Sequence, residues 1–162
     1  MKKGTPVAMY DVLSLKTPEE CRIVADRVLK LGMKELYQRV IRRLAELSTR
    51  HICDEVERDL FLSLEIHEAT VLYRKHGRRV AATRTRQAIE RKGVNQTLID
   101  WSKLGGDRQG FRDSVEAGFA CNTGEAIVVR HADKFPPDVV ERCKDTLQRA
   151  GVDLDEMMKR TT

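Results

Sequence analysis

The stretch that decides the fold is TPEECRIVADRVLKLGMKELYQRVIRRLAEL, residues 17–47. Thr17-Pro18-Glu19-Glu20 opens it with a helix start signal. The threonine caps, proline suits the first turn because its missing N–H is not needed there, and Glu20 closes a capping box. Cys21, Val24, Val28 and Leu31 then fall on one face at helical spacing. Gly32 stops this helix, and Leu36, Val40, Leu44 and Leu47 form the stripe of a second one. One glycine between two amphipathic helices predicts a helical hairpin.

Downstream, Ser48 to Cys53 reads as a break, and Asp54-Glu55-Val56-Glu57 as a new helix start. The helix predicted over 55–76 is the longest, with Val56, Leu60, Leu64 and Val71 in register. Phe61, Ile66, Leu72 and Tyr73 widen its apolar face, and Gly77 ends it. Shorter helices follow at 80–92, 95–103, 110–119, 124–131 and 137–150, punctuated by Gly93, Gly105-Gly106 and Gly151. Ala126-Ile127-Val128-Val129 is β-branched enough for a strand, but a lone strand has no partner, so it too is assigned to helix. Leu154 to Lys159 makes a last turn.

The expected fold is therefore all-α. An N-terminal helical hairpin and a long helix precede a basic bundle of short helices with a helix-turn-helix-like unit. The composition agrees: aromatics are only 5%, so a core must come from Leu, Val, Ile, Ala and Met. The composition shifts at Gly77, which suggests a hairpin half, 1–76, and a basic short-helix half, 77–162, with one single domain as the alternative.

No run approaches the roughly 20 apolar residues of a membrane span. Met1 to Pro6 is basic but has no apolar segment behind it, so no secretory signal is expected. Cys21, Cys53, Cys121 and Cys143 form no C-x-x-C pair, which argues against a local zinc site and for reduced thiols in a cytoplasmic protein.

Charge is concentrated. Arg74, Lys75, Arg78, Arg79, Arg84, Arg86, Arg91 and Lys92 face only Glu90, so residues 74–92 carry +7. The whole chain is +5, which leaves −2 for everything else. Solvated helix faces usually alternate Lys with Glu at i,i+4. Here the cations repel one another unless something anionic meets them. Six of the eight are arginines, suited to bidentate phosphate contacts and guanine edges. The helix at 80–92, the Gly93 turn and the helix at 95–103 frame the helix-turn-helix-like unit, with Ile89, Leu98 and Ile99 packing it and Asn95 as its cap.

The expected function is nucleic-acid binding, with duplex DNA as partner and a regulatory or defence role. Arg78, Arg79, Arg84, Arg86, Arg91 and Lys92 would meet phosphates, Thr85 and Gln87 would read bases, and Asn95 would sit at the second helix's start. The alternative is a protein–protein interaction module, an adaptor or subunit whose arginines meet an acidic surface. Pairing within the fold, with Glu55, Glu57, Asp59, Glu65 or Glu68, or with a partner chain is the bland account of the same arginines, and an anionic small ligand is the remaining one. A homo-oligomer is also left open.

Catalysis has little support, and neither a metal nor a cofactor is expected. His67-Glu68 opens like a zinc-protease motif, but position 71 is Val71. No histidine follows an arginine at the spacing of helical HEPN-type ribonucleases. Asp138 with Glu141 lacks the lysine of a metal-dependent nuclease, and Gly105-Gly106-Asp107 lacks the Lys-Ser/Thr of a phosphate loop. Trp101 is expected to anchor two helices, and Arg130-His131 to be structural, Arg130 meeting an acid such as Glu125. A site built from His51, His67 or His131 would need clustering in space.

Arg84-Thr85-Arg86-Gln87, Ile89, Arg91, Gly93, Gly110-Phe111, Glu125-Ala126-Ile127-Val128, Arg130-His131 and Phe135 form a pattern. Over about residues 83–135 it resembles an uncharacterised helical family of bacterial hypothetical proteins. The resemblance implies a helical fold and a bacterial or phage setting, and carries no activity with it. The Leu104–Arg108 loop departs from that pattern.

Overall fold

The computed structural model describes residues 11–160; the Met1–Pro6 stretch read for a secretory signal lies outside them. The described residues form helices and turns with no strand. The chain divides into two compact units, Met1–His51 and Ile52–Thr162.

The first unit is the hairpin. Helix α1 spans Pro18–Lys30 and α2 spans Lys34–Thr49. The capping box forms as the sequence requires: Thr17 accepts from the Glu20 N–H, and the Glu20 carboxylate accepts from the Thr17 and Lys16 N–H groups. Gly32 turns the chain at φ +70°, a conformation that costs other residues a steric penalty. Cys21, Val24, Ala25 and Val28 of α1, and Leu36, Val40, Ile41, Leu44, Ala45 and Leu47 of α2, are buried. Arg43 Nε donates to the Leu15 carbonyl at 3.1 Å, tying the lead-in turn to α2.

The second unit starts with α3, Glu55–His67, whose first turn is capped by the Asp54 carboxylate accepting from the Glu57 N–H. The same rod then widens into a π-helical segment, Glu68–Leu72, before α4, Tyr73–His76, ends at Gly77 with φ +67°. Val56, Leu60 and Leu64 enter the core as expected, and Ile66 on the widened face is buried too; within the π-helical segment the wider turn shifts the stripe, so Ala69 is buried while Val71 is only half-buried.

Next come α5, Thr83–Lys92, and α6, Val94–Leu104. Then follow α7, Gln109–Glu116; α8, Gly124–Arg130; α9, Pro137–Arg149; and α10, Leu154–Lys159. Helix α8 is the centre. Gly124 through Val129 are all buried, and α8 packs against α3, α6 and α9. The segment open to a strand reading is thus the most enclosed helix of the unit. Thr123 caps it by accepting from the Ala126 N–H. Gly124 is required there: a Cβ would stand 2.6 Å from Trp101 and 3.2 Å from Leu98. Trp101 therefore wedges α6 against α8, the anchoring role expected of it.

The division of the chain and the cap of α6 differ from expectation. The units separate at His51/Ile52, not at Gly77, because Val56, Leu60 and Leu64 of the long helix share one core with Ile89, Leu98, Ile127, Val140 and Leu147. Asn95 is not the cap of α6. Gly93 holds that position at φ +84° with no side-chain cap, and Thr97 turns its hydroxyl back onto the Gly93 carbonyl. Cys21 and Cys143 are buried as predicted, and burial, with Glu125 nearby, pushes the Cys143 thiol up to about 12.

Candidate functional site

The basic segment is sorted by α5. Positions i, i+3 and i+7 share a helix face, and here they are Arg84, Gln87 and Arg91, all exposed. Arg78 in the preceding loop and Asn95 at the start of α6 are exposed too. Among the described residues no carboxylate lies within ion-pair distance of Arg78, Arg84 or Arg91. Arg74 and Lys75 are also exposed, the latter with Asp113 3.9 Å away.

The other four candidates turn inward or are paired. Glu68 has its carboxylate almost wholly buried at the start of the π-helical segment. Arg86 grips it in a fork, Nε to Oε1 at 2.7 Å and Nη2 to Oε2 at 3.0 Å. Arg86 Nη2 also reaches Glu65 at 3.4 Å, and its guanidinium lies 5.8 Å from the Phe61 ring centroid. The Ala82 N–H donates to Glu68 Oε1 at 2.9 Å, fixing where α5 begins. This explains why α5 starts at Thr83 and not at 80. Arg79 pairs with Glu65 and lies 3.8 Å from Glu68. Burial alone would raise the Glu68 carboxyl, but the bonds from Arg86 and Ala82 and the charges of Arg86 and Arg79 hold it below its ordinary value.

Lys92 Nζ donates to Asp100 at 2.7 Å, across the turn into α6. That bond, with one from Gln96, lowers the Asp100 carboxyl. Thr85 is half-buried and lines a cleft beside Trp101 and Arg108. So Arg79, Arg86 and Lys92 are already neutralised within the fold, as internal pairing with the long helix's Glu65 and Glu68 would have it. Arg78, Arg84, Gln87, Arg91 and Asn95 face outward.

Helix α6 is unlike an exposed second helix of a helix-turn-helix unit. Thr97, Leu98 and Ser102 are buried, and α6 packs against α3, α5, α8 and α9. The outward surface belongs to α5 and the loop before it.

Two further charged groups lie inside the second unit. Glu125, 1% exposed, accepts from Arg108 Nη2 at 3.1 and 3.4 Å. The Arg108 guanidinium stacks 4.3 Å from the Trp101 centroid. Burial raises the Glu125 carboxyl, with Arg108 opposing it. Arg130 therefore does not meet Glu125. It donates to the Cys121 carbonyl at 2.5 Å and lies 3.5 Å from Asp59, which also holds His131 Nε2 at 2.8 Å. Sequence reasoning left Arg108 out. The available signal was Glu125 itself, an acid leading directly into a buried apolar run, which must find a cation.

Within the second unit His67 and His131 do not share a site: His131 belongs to Asp59, and His67 lines the cleft with Ser63 and Ser114. His51 belongs to the first unit. Burial lowers the His67 imidazole, with Asp113 opposing. Among the described residues no three His, Cys, Asp or Glu side chains are placed to hold a metal, and no helix is long and apolar enough to cross a membrane. Compared with protein-family models, curated proteins and solved structures, the chain matches none.

Proposed function

We propose that this is a cytoplasmic nucleic-acid-binding protein that meets the phosphates of duplex DNA through the outward face of α5 and the loop before it, in a regulatory or defence setting. The observation that carries the reading is the stripe Arg84–Gln87–Arg91, continued by Arg78. Among the described residues Arg78, Arg84 and Arg91 have no acidic partner, whereas the fold neutralises Arg79, Arg86 and Lys92. Arginine forks suit phosphate oxygens, and Gln87 between them has the donor–acceptor pair that reads adenine. Phosphate contacts set affinity and register, whereas a single base-reading side chain gives little sequence preference.

The test is salt-dependent binding of a labelled duplex, compared with single-stranded DNA and RNA. Removing one phosphate-binding side chain flattens the log–log slope for duplex DNA by about 0.9, so Arg84→Ala/Arg91→Ala together should flatten it by about 1.8. Equal affinity of this variant and the parent at every salt concentration would remove the proposal. Copurification of a stoichiometric acidic protein, blocked by the same two substitutions, would favour the adaptor reading instead.

A further inference from the structure

Beside the Arg108–Trp101 stack the second unit holds a cleft of about 70 Å3. It is lined by Ser63 and His67 of α3, Thr85 of α5, Trp101 of α6, Arg108, and Ser114 of α7. Apart from Thr85, expected from the sequence to read a base, none of these enters the duplex reading. Their hydrogen-bonding capacity is unevenly spent. Ser63 gives its proton to the Asn122 carbonyl. Arg108 spends only Nη2, on Glu125, and its buried Nε meets no protein partner. Its Nη1 edge lies against Gly110, where a Cβ would come within 3.2 Å. The hydroxyls of Thr85 and Ser114 and the His67 ring meet no protein partner among the described residues. The imidazole, lowered by burial, has one N–H to give and one nitrogen to receive.

The unspent donors are guanidinium N–H, two hydroxyls and an imidazole N–H, the hydroxyls and the imidazole keeping lone pairs as well. No carboxylate lines the cleft; Glu125 sits behind Arg108. Such a wall suits a ligand made of acceptors. Size narrows it further. One water needs roughly 10–15 Å3 on this measure, so the cleft has room for a ligand larger than one water, and a tetrahedral oxyanion is a small polyatomic group of this kind.

We propose that this cleft binds one phosphate-sized oxyanion, as inorganic phosphate or as the terminal phosphate of a larger molecule whose remainder stays outside. Arg108, Thr85, Ser114 and His67 supply the donors. Because Glu125 balances the Arg108 charge, binding rests on directed N–H and O–H groups, and weakening that carboxylate strengthens the site.

Trp101, the only tryptophan, stacks on Arg108 and reports the cleft by its fluorescence. The full-length protein is titrated with sodium phosphate against sodium chloride of equal ionic strength, with calorimetry in parallel. A saturable response to phosphate alone is expected. Thr85→Val/Ser114→Ala should weaken it about tenfold per hydroxyl while leaving the melting curve in place. Glu125→Gln should tighten it, which a merely structural Arg108 would not predict. A 5′-phosphorylated dinucleotide and its 5′-hydroxyl counterpart separate the sources. Response to the phosphorylated form alone assigns a terminal phosphate, and response to free phosphate as well assigns the anion itself. No saturable response to either free phosphate or the phosphorylated dinucleotide by either method, or parental affinity in Thr85→Val/Ser114→Ala, overturns the proposal. Arg84→Ala/Arg91→Ala should leave this titration unchanged, so its outcome is independent of duplex binding.

Discussion

Arg86→Ala separates a structural arginine from a contacting one. Arg86 makes two charge-assisted bonds to the buried Glu68 carboxylate, at 2.7 and 3.0 Å. Breaking a buried pair from one side costs about 3–5 kcal/mol, because the partner is left charged and poorly solvated. Two features reduce this. The Arg86 side chain is 34% exposed, so part of the interaction is screened, and Arg79 and the Ala82 N–H stay near Glu68. About 2 kcal/mol remains. For a unit of about 110 residues, at roughly 4 °C per kcal/mol, the melting temperature should fall by about 8 °C. Thermal melts followed by circular dichroism measure this. Glu68→Gln added to Arg86→Ala should recover part of the deficit, since it removes the stranded charge. In duplex binding, Arg86→Ala should leave the salt slope unchanged. A variant that melts with the parent while its slope flattens by about 0.9 would show Arg86 to be a phosphate ligand, and the pairing argument would be wrong.

Two further outcomes follow from the second unit. Gly124→Ala places a Cβ 2.6 Å from Trp101 and should cost about 1–3 kcal/mol through overpacking, visible in the same melts together with a shifted Trp101 emission. Burial lowers the His67 imidazole, so the unfolded chain takes up that proton first. The stability from keeping it neutral is present above about pH 6.5 and is lost as the pH falls through the folded value. His67→Gln should flatten the decline in melting temperature just below pH 6.5. Glu68, also lowered, adds its own loss only below the ordinary glutamate range, about 4.3. A His67→Gln profile parallel to the parent's would show that His67 does not set this limb.

By itself the sequence determined the elements. Capping boxes, glycine stops and 3.6-residue stripes are local, so the hairpin and the long helix could be read directly from Thr17, Gly32, Asp54 and Gly77. The concentration of charge in residues 74–92 was equally local, because it is only a count along the chain. Tertiary structure decided what that charge faces. Whether an arginine is free or paired depends on which helix lies against it, and nothing near Arg86 in the sequence announces Glu68, 18 positions away on another helix. The π-helical segment adds to this, because it shifts the register of the long helix just where Glu68 turns inward. Arg108 and Glu125 meet across 17 positions for the same reason: a buried carboxylate must find a cation, and only packing selects which one. The basic stretch thus resolves into Arg79, Arg86 and Lys92, neutralised by acids that the fold brings to them, Lys75 near Asp113, and Arg74, Arg78, Arg84 and Arg91 left facing outward.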